Sequence, residues 1–113
     1  MSRDKLYLRD ILDSALLIQS HLAGQTRETF EADIKTQDAV IRRLEIIGEA
    51  ANRLSPEAQA ATPEVPWKLV RGMRNILAHD YDDVDLEEVW ETARHDLDGM
   101  IQVVGKYLAA AAD

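Results

Sequence analysis

Between Leu86 and Leu108, apolar residues recur at intervals of three and four: Leu86, Val89, Trp90, Ala93, Leu97, Met100, Ile101, Val104 and Leu108. That spacing gathers side chains on one face of an α-helix and would scatter them over both faces of a strand. The same rhythm appears in Leu8, Ile11, Ala15, Ile18 and Leu22, and again in Ile41, Leu44, Ile47, Gly48, Ala51 and Leu54. No stretch alternates with period two over the length of a strand, so the chain is restricted to an all-α fold.

Helix boundaries follow from the residues that start and stop helices. A first helix begins near Asp4 and is ended by Gly24; the connector "GQTRETFEADIKTQD" holds a turn of helix around Thr29. Ser55 and Pro56 form an N-cap and N1 pair that closes the second helix and opens a short helical turn through Ala60. Pro66 opens a third helix through Val70, Met73 and Leu77 toward His79, and Asp85 caps one long final helix. Gly48 costs helix propensity within the second helix, a cost explained by another helix packing closely there. Amphipathic helices with short connections predict an antiparallel four-to-five-helix bundle, formed as one domain over residues 1–113.

The chain has no cysteine, which excludes disulfides, zinc-thiolate sites and a cysteine nucleophile. Charges interrupt the apolar residues of "MSRDKLYLRDILDS", unlike a signal peptide, and no apolar run has membrane-spanning length. A soluble, cytoplasmic protein is expected. The formal net charge of −8 argues against a broadly electrostatic nucleic-acid binder. Its distribution is uneven: from Trp67 to His79 the formal charges are Lys68, Arg71 and Arg74, whereas Asp80 to Glu91 holds seven acids and no base. A local cationic site on an acidic body is therefore open.

That site centres on "RNILAHDY", Arg74 to Tyr81. Arg74 and His79 are five positions apart, an angle of about 140° on an ideal helix, so the two can meet only if the helix ends or distorts near Ala78. Asn75, Arg71 and Lys68 share a face and would line the same groove. Taken locally, the cluster fits either a solvated, favourably capped helix end or phosphodiester chemistry in RNA. The second needs proton transfer at the 2′-hydroxyl and the leaving oxygen, for which imidazole suits, and a cation for the phosphoryl charge, for which arginine suits. One suitable histidine per chain makes a two-fold dimer chemically useful, since it supplies both acid and base.

Other polar residues have simpler readings. His21 and His95 read as solvated, and no two histidines have metal-ligand spacing. Trp67 and Trp90 read as core or interface residues. Asp38, Arg42, Glu45 and Glu49 stripe the second helix as a solvated face; the alternative is that Glu45 or Glu49 turns into the groove and orients Arg74 or Arg71.

Arg74, His79 and Tyr81 match the R-x4-H-x-Y signature, and the sequence resembles HEPN-domain proteins, specifically HepT-like toxins. "AVIRRLEIIGEAANRLS" resembles that family's second-helix block with its G-E-A centre, and "VPWKLVRGMRNILAHDYDDVDLEEVW", which holds the motif, resembles the block that follows, so the likeness covers most of the chain except the variable connector. The resemblance implies a homodimeric helical bundle acting as a metal-independent endoribonuclease in a toxin-antitoxin pair. It places Arg74 and His79 as catalytic residues and Tyr81 as the target of AMPylation by a MntA-like minimal nucleotidyltransferase antitoxin. Glu49 is carried over as a supporting residue, beside Lys68, Arg71 and Asn75 as RNA-binding candidates. The implied substrate is RNA, tRNA or mRNA, with no cofactor. A different class remains open: a non-catalytic subunit that binds nucleotide or a partner nucleotidyltransferase.

Overall fold

The computed structural model describes residues 3–76 and 85–111, which form seven helices and no strand. They are α1 (Asp4–Leu22), α2 (Arg27–Glu31), α3 (Ile34–Arg53), α4 (Pro56–Ala61), α5 (Trp67–Ile76), α6 (Leu86–His95) and α7 (Leu97–Ala110). The expectation that α5 runs through Leu77 toward His79 falls partly outside the described residues.

The apolar stripes become the core. Leu8, Ile11, Ala15, Ile18 and Leu22 of α1 are buried against α3, whose Ile41, Leu44, Ile47 and Ala51 are also buried. The other side of α3 carries α5, through Val70 and Met73, while α7 packs along α1. Direction follows from ties at the helix ends. Asp4 at the start of α1 accepts from the Ser55 N–H (3.0 Å) and hydroxyl (2.6 Å), just past the end of α3. Lys5 donates to the Ala111 carbonyl, and Gln19 donates to Asp98. Both α3 and α7 are therefore antiparallel to α1.

Local chemistry sets the boundaries. Gly24 takes φ +77°, the left-handed conformation that a helix stop requires and glycine adopts without strain. Thr26 and Thr29 exchange side-chain and backbone hydrogen bonds in a capping box that opens α2. This short helix buries Phe30 against Trp90, ring centroids 5.5 Å apart. Trp67 is also buried, and its indole N–H donates to the Thr62 carbonyl and hydroxyl, at 3.2 and 3.0 Å. Both tryptophans are core residues.

One boundary differs from expectation. The long final helix is divided at Asp96, where φ −96° and ψ −9° depart from helical values and bend the chain into α7. The Asp96 N–H still donates to the Thr92 carbonyl, and the buried register of Trp90, Ala93, Leu97, Met100, Val104 and Leu108 continues across the bend. Periodicity alone therefore reads one helix. Aspartate is a poor helix-interior residue, which makes this the natural position to yield. The bend lets α6 pack over α1, α2 and α3 while α7 follows α1. Among the described residues, no helix is long and apolar enough to cross a membrane.

Asp33 caps α3, accepting from the Thr36 hydroxyl (2.6 Å) and N–H (3.1 Å). The Thr36 hydroxyl, followed by the Thr36 N–H, holds this carboxyl below its ordinary pKa. A depressed folded pKa gives stability that is complete above the unfolded pKa and is lost as pH falls through the folded one. Asn at this position keeps the cap acceptor but does not titrate. In urea titrations repeated from neutral to strongly acidic pH, D33N should lose stability less steeply on acidification than the parent chain.

Candidate functional site

The site is built where the C-terminal half of α3 meets the last turns of α5. A Cβ added to Gly48 would lie 2.7 Å from the Arg74 backbone nitrogen and 3.0 Å from the Arg74 Cβ. Real side chains do not tolerate such contacts, so glycine is what lets the two helices touch. Gly48 is the place in α3 where close approach was expected, and Arg74 is the residue it receives.

Seating Arg74 on Gly48 fixes where its side chain departs. The next residue of α3, Glu49, then reaches it: Glu49 Oε1 is 4.0 Å from Arg74 Nη1. The other carboxylate oxygen, Oε2, is 3.8 Å from Arg53 Nη2 one turn further along α3. The Arg74 side chain is 39% exposed and that of Glu49 53%, so this is a wet, screened pair that contributes at most about 1 kcal/mol to stability. Its effect is on orientation, and the guanidinium stays accessible to an anion.

The remaining candidates divide. Glu45 pairs with Arg42 at 3.4 Å on the exposed face of α3, so of the two acids weighed from sequence it is Glu49 that meets Arg74. Arg71 donates to the Gln59 side-chain oxygen of α4 at 2.6 Å, and Gln59 in turn donates to the Leu54 carbonyl. Arg71 thus braces α5 against α4 and the end of α3 while keeping its charge opposite a neutral amide. Lys68 is exposed. Asn75 belongs to the last turn of α5, with its side chain outside the described part, as are His79 and Tyr81. His95 faces Glu91 at 3.3 Å on an exposed face, and His21 is exposed, in keeping with their solvated reading.

Two contributors escaped sequence reasoning. Arg53 stands four residues from Glu49, a spacing visible in the sequence, but nothing there says that Glu49 also faces α5. Gln59 is one polar residue in a short helical turn, and nothing in its sequence position signals that it holds Arg71.

Comparison with known proteins adds to this geometry. The family described as Ribonuclease HepT-like matches residues 11–107. Over 93 residues the chain is 41% identical to "Probable ribonuclease HepT" of Thermococcus cleftensis, a match spanning 82% of this chain and 84% of that protein. It is 42% identical over 93 residues to "Gamma-glutamylcyclotransferase and putative RNase" of Methanocaldococcus jannaschii, where the match spans 82% of this chain but 42% of that protein. A third relative, "Putative RNase" of Caldanaerobacter subterraneus subsp. tengcongensis, is 37% identical over 92 residues, 81% of this chain and 82% of its own. No solved structure gives a significant match.

The contact at Gly48 is directly testable. Gly→Ala inside a helix gains about 1 kcal/mol of propensity, whereas forcing a methyl group against neighbouring backbone costs about 1–3 kcal/mol. Because the obstacle is the Arg74 backbone, the steric cost should win. G48A should therefore lower the urea midpoint and displace α5 from α3, readable as altered chemical shifts around Arg74.

Proposed function

Because the chain belongs to the ribonuclease HepT-like family, we propose that it is a metal-independent endoribonuclease toxin of a cytoplasmic toxin-antitoxin pair, working as a homodimer of single-domain subunits. The observation that carries the reading is Arg74 itself: seated against Gly48, faced by Glu49, and open to solvent at the end of a helix whose other charged side chains are also basic. That is the environment an arginine needs to receive a phosphoryl group.

In this reading a histidine takes the proton of the 2′-hydroxyl as that oxygen bonds to phosphorus. The bond from phosphorus to the 5′-oxygen then breaks, and a second imidazole protonates the departing oxygen, leaving a 2′,3′-cyclic phosphate. Arg74 neutralises charge on the non-bridging oxygens throughout. His79 is the proton-transfer residue, and the dimer supplies it twice, once from each copy. Lys68, Arg71 and Asn75 extend the RNA-binding surface along α5. Tyr81 is the control point: a MntA-like nucleotidyltransferase antitoxin attaching AMP there adds bulk and negative charge two residues from His79 and repels the RNA phosphate.

Removing one general acid–base group costs about 10²–10⁴-fold in rate, and removing one charge-stabilising donor about 10²–10³-fold. H79A and R74A are each expected to lose RNA cleavage by at least about 100-fold with an unchanged helical signal. Undiminished cleavage by the double variant would overturn the reading. Uncut RNA with the parent chain, together with altered activity of the nucleotidyltransferase in its presence, would instead identify a binding subunit. Intact-mass measurement after co-expression with the transferase should show AMP added to the parent chain but not to Y81F, together with lost cleavage.

A further inference from the structure

Glu49 faces two arginines, of which Arg74 alone has a part in the proposed cleavage. Its Oε1 faces Arg74 of α5 and its Oε2 faces Arg53 of α3, at 4.0 and 3.8 Å. Two guanidiniums on one carboxylate leave a net positive charge. Each guanidinium has five N–H donors in a fixed fork, so one carboxylate oxygen at that distance leaves most of them free. The Arg53 side chain is 62% exposed, more than that of Arg74, so its free donors face solvent.

The rest of the charge distribution sharpens the point. A chain with net charge −8 can attract a polyanion only where cations gather. The last turns of α3 and α5 supply Arg53 and Arg74, and Arg71 stands nearby against the neutral Gln59. Arg42, about three turns earlier on α3, lines the same groove as Arg53, together with the acids Asp10, Glu45 and Glu49, but it faces Glu45 one to one at 3.4 Å, with no second cation on that carboxylate among the described residues.

We propose that Arg53, held beside Arg74 by their shared Glu49 carboxylate, is a second phosphate-binding residue, receiving the RNA phosphate next to the one at Arg74. This rests on the ribonuclease reading of Arg74. In it, Glu49 is a positioning residue: it spaces two guanidiniums so that consecutive phosphates of one strand meet both.

The test uses a fluorescent single-stranded RNA of mixed sequence, with binding measured across a salt series and cleavage kinetics measured alongside. For a single strand, each lost phosphate contact lowers the slope of log affinity against log salt by about 0.7. R53A should show that loss and a raised KM with kcat retained, and R53K should recover the slope because lysine still offers a point charge. R42A should match the parent in both. E49Q keeps the side-chain size but removes the charge, and should lower kcat without weakening binding. An R53A variant with the parental slope and KM, alongside an inactive R74A, would overturn the second contact and leave the ribonuclease reading standing. Equal slope losses in R53A and R42A would overturn it as well, by reducing the effect to general charge. An unchanged kcat in E49Q would overturn the positioning role. Cleavage by R74A at the parental rate would instead overturn the reading of Arg74 beneath.

Discussion

A missing side chain governs the geometry of the candidate site. With no Cβ at Gly48, the backbone of Arg74 lies against α3 at a distance that any other residue there would prohibit. The direction of the Arg74 side chain, the reach of Glu49 and the juxtaposition of α3 with α5 all follow from that contact. The surrounding core reinforces it: Val70 and Met73 are buried on the same helix, and Trp67 anchors its first turn on Thr62. The propensity lost by placing glycine inside a twenty-residue helix is the cost of this precision.

The electrostatics of the region do little for stability. Every described ion pair in it is substantially exposed, and pairs of that kind are screened by water and salt. Stability resides in the apolar faces and in a buried polar corner at Thr62 whose groups are satisfied, with the Thr62 hydroxyl donating to the Ala58 carbonyl and accepting from Trp67. This division of labour leaves Arg53 and Arg74 exposed in pairs on which the fold does not depend, whereas Arg71 is tied to α4 through Gln59.

Much of the architecture is legible in the sequence because helix periodicity and helix-end chemistry are local. The stripes on α1 and α3 map onto buried faces residue by residue, and Gly24, Ser55, Pro56 and Asp85 act at the boundaries as their chemistry predicts. The bend at Asp96 is not legible, because a change of axis that preserves the apolar register leaves no trace in spacing. Phe30 was hidden for a similar reason, as a lone aromatic in a polar connector whose burial depends on Trp90, sixty residues away in sequence. At the site, the pairing of Glu49 with Arg74 was one of several open alternatives. Sequence spacing relates residues within a helix, whereas the choice between Glu45 and Glu49 is made by how α3 and α5 cross.

Ser55 carries a consequence for the order in which the chain can become organised. Its hydroxyl accepts the Ala58 N–H as the cap of α4 and donates its own hydrogen to Asp4, fifty-one residues earlier. Donation to Asp4 fixes the hydroxyl rotor, which in turn aims the oxygen lone pairs at the start of α4. A cap that looks local in sequence is thus completed by a long-range closure, whose entropic cost must be met by the docking of α1 on α3. The segment leading from α3 into α5 therefore has its full set of hydrogen bonds only when the two longest helices are docked on each other.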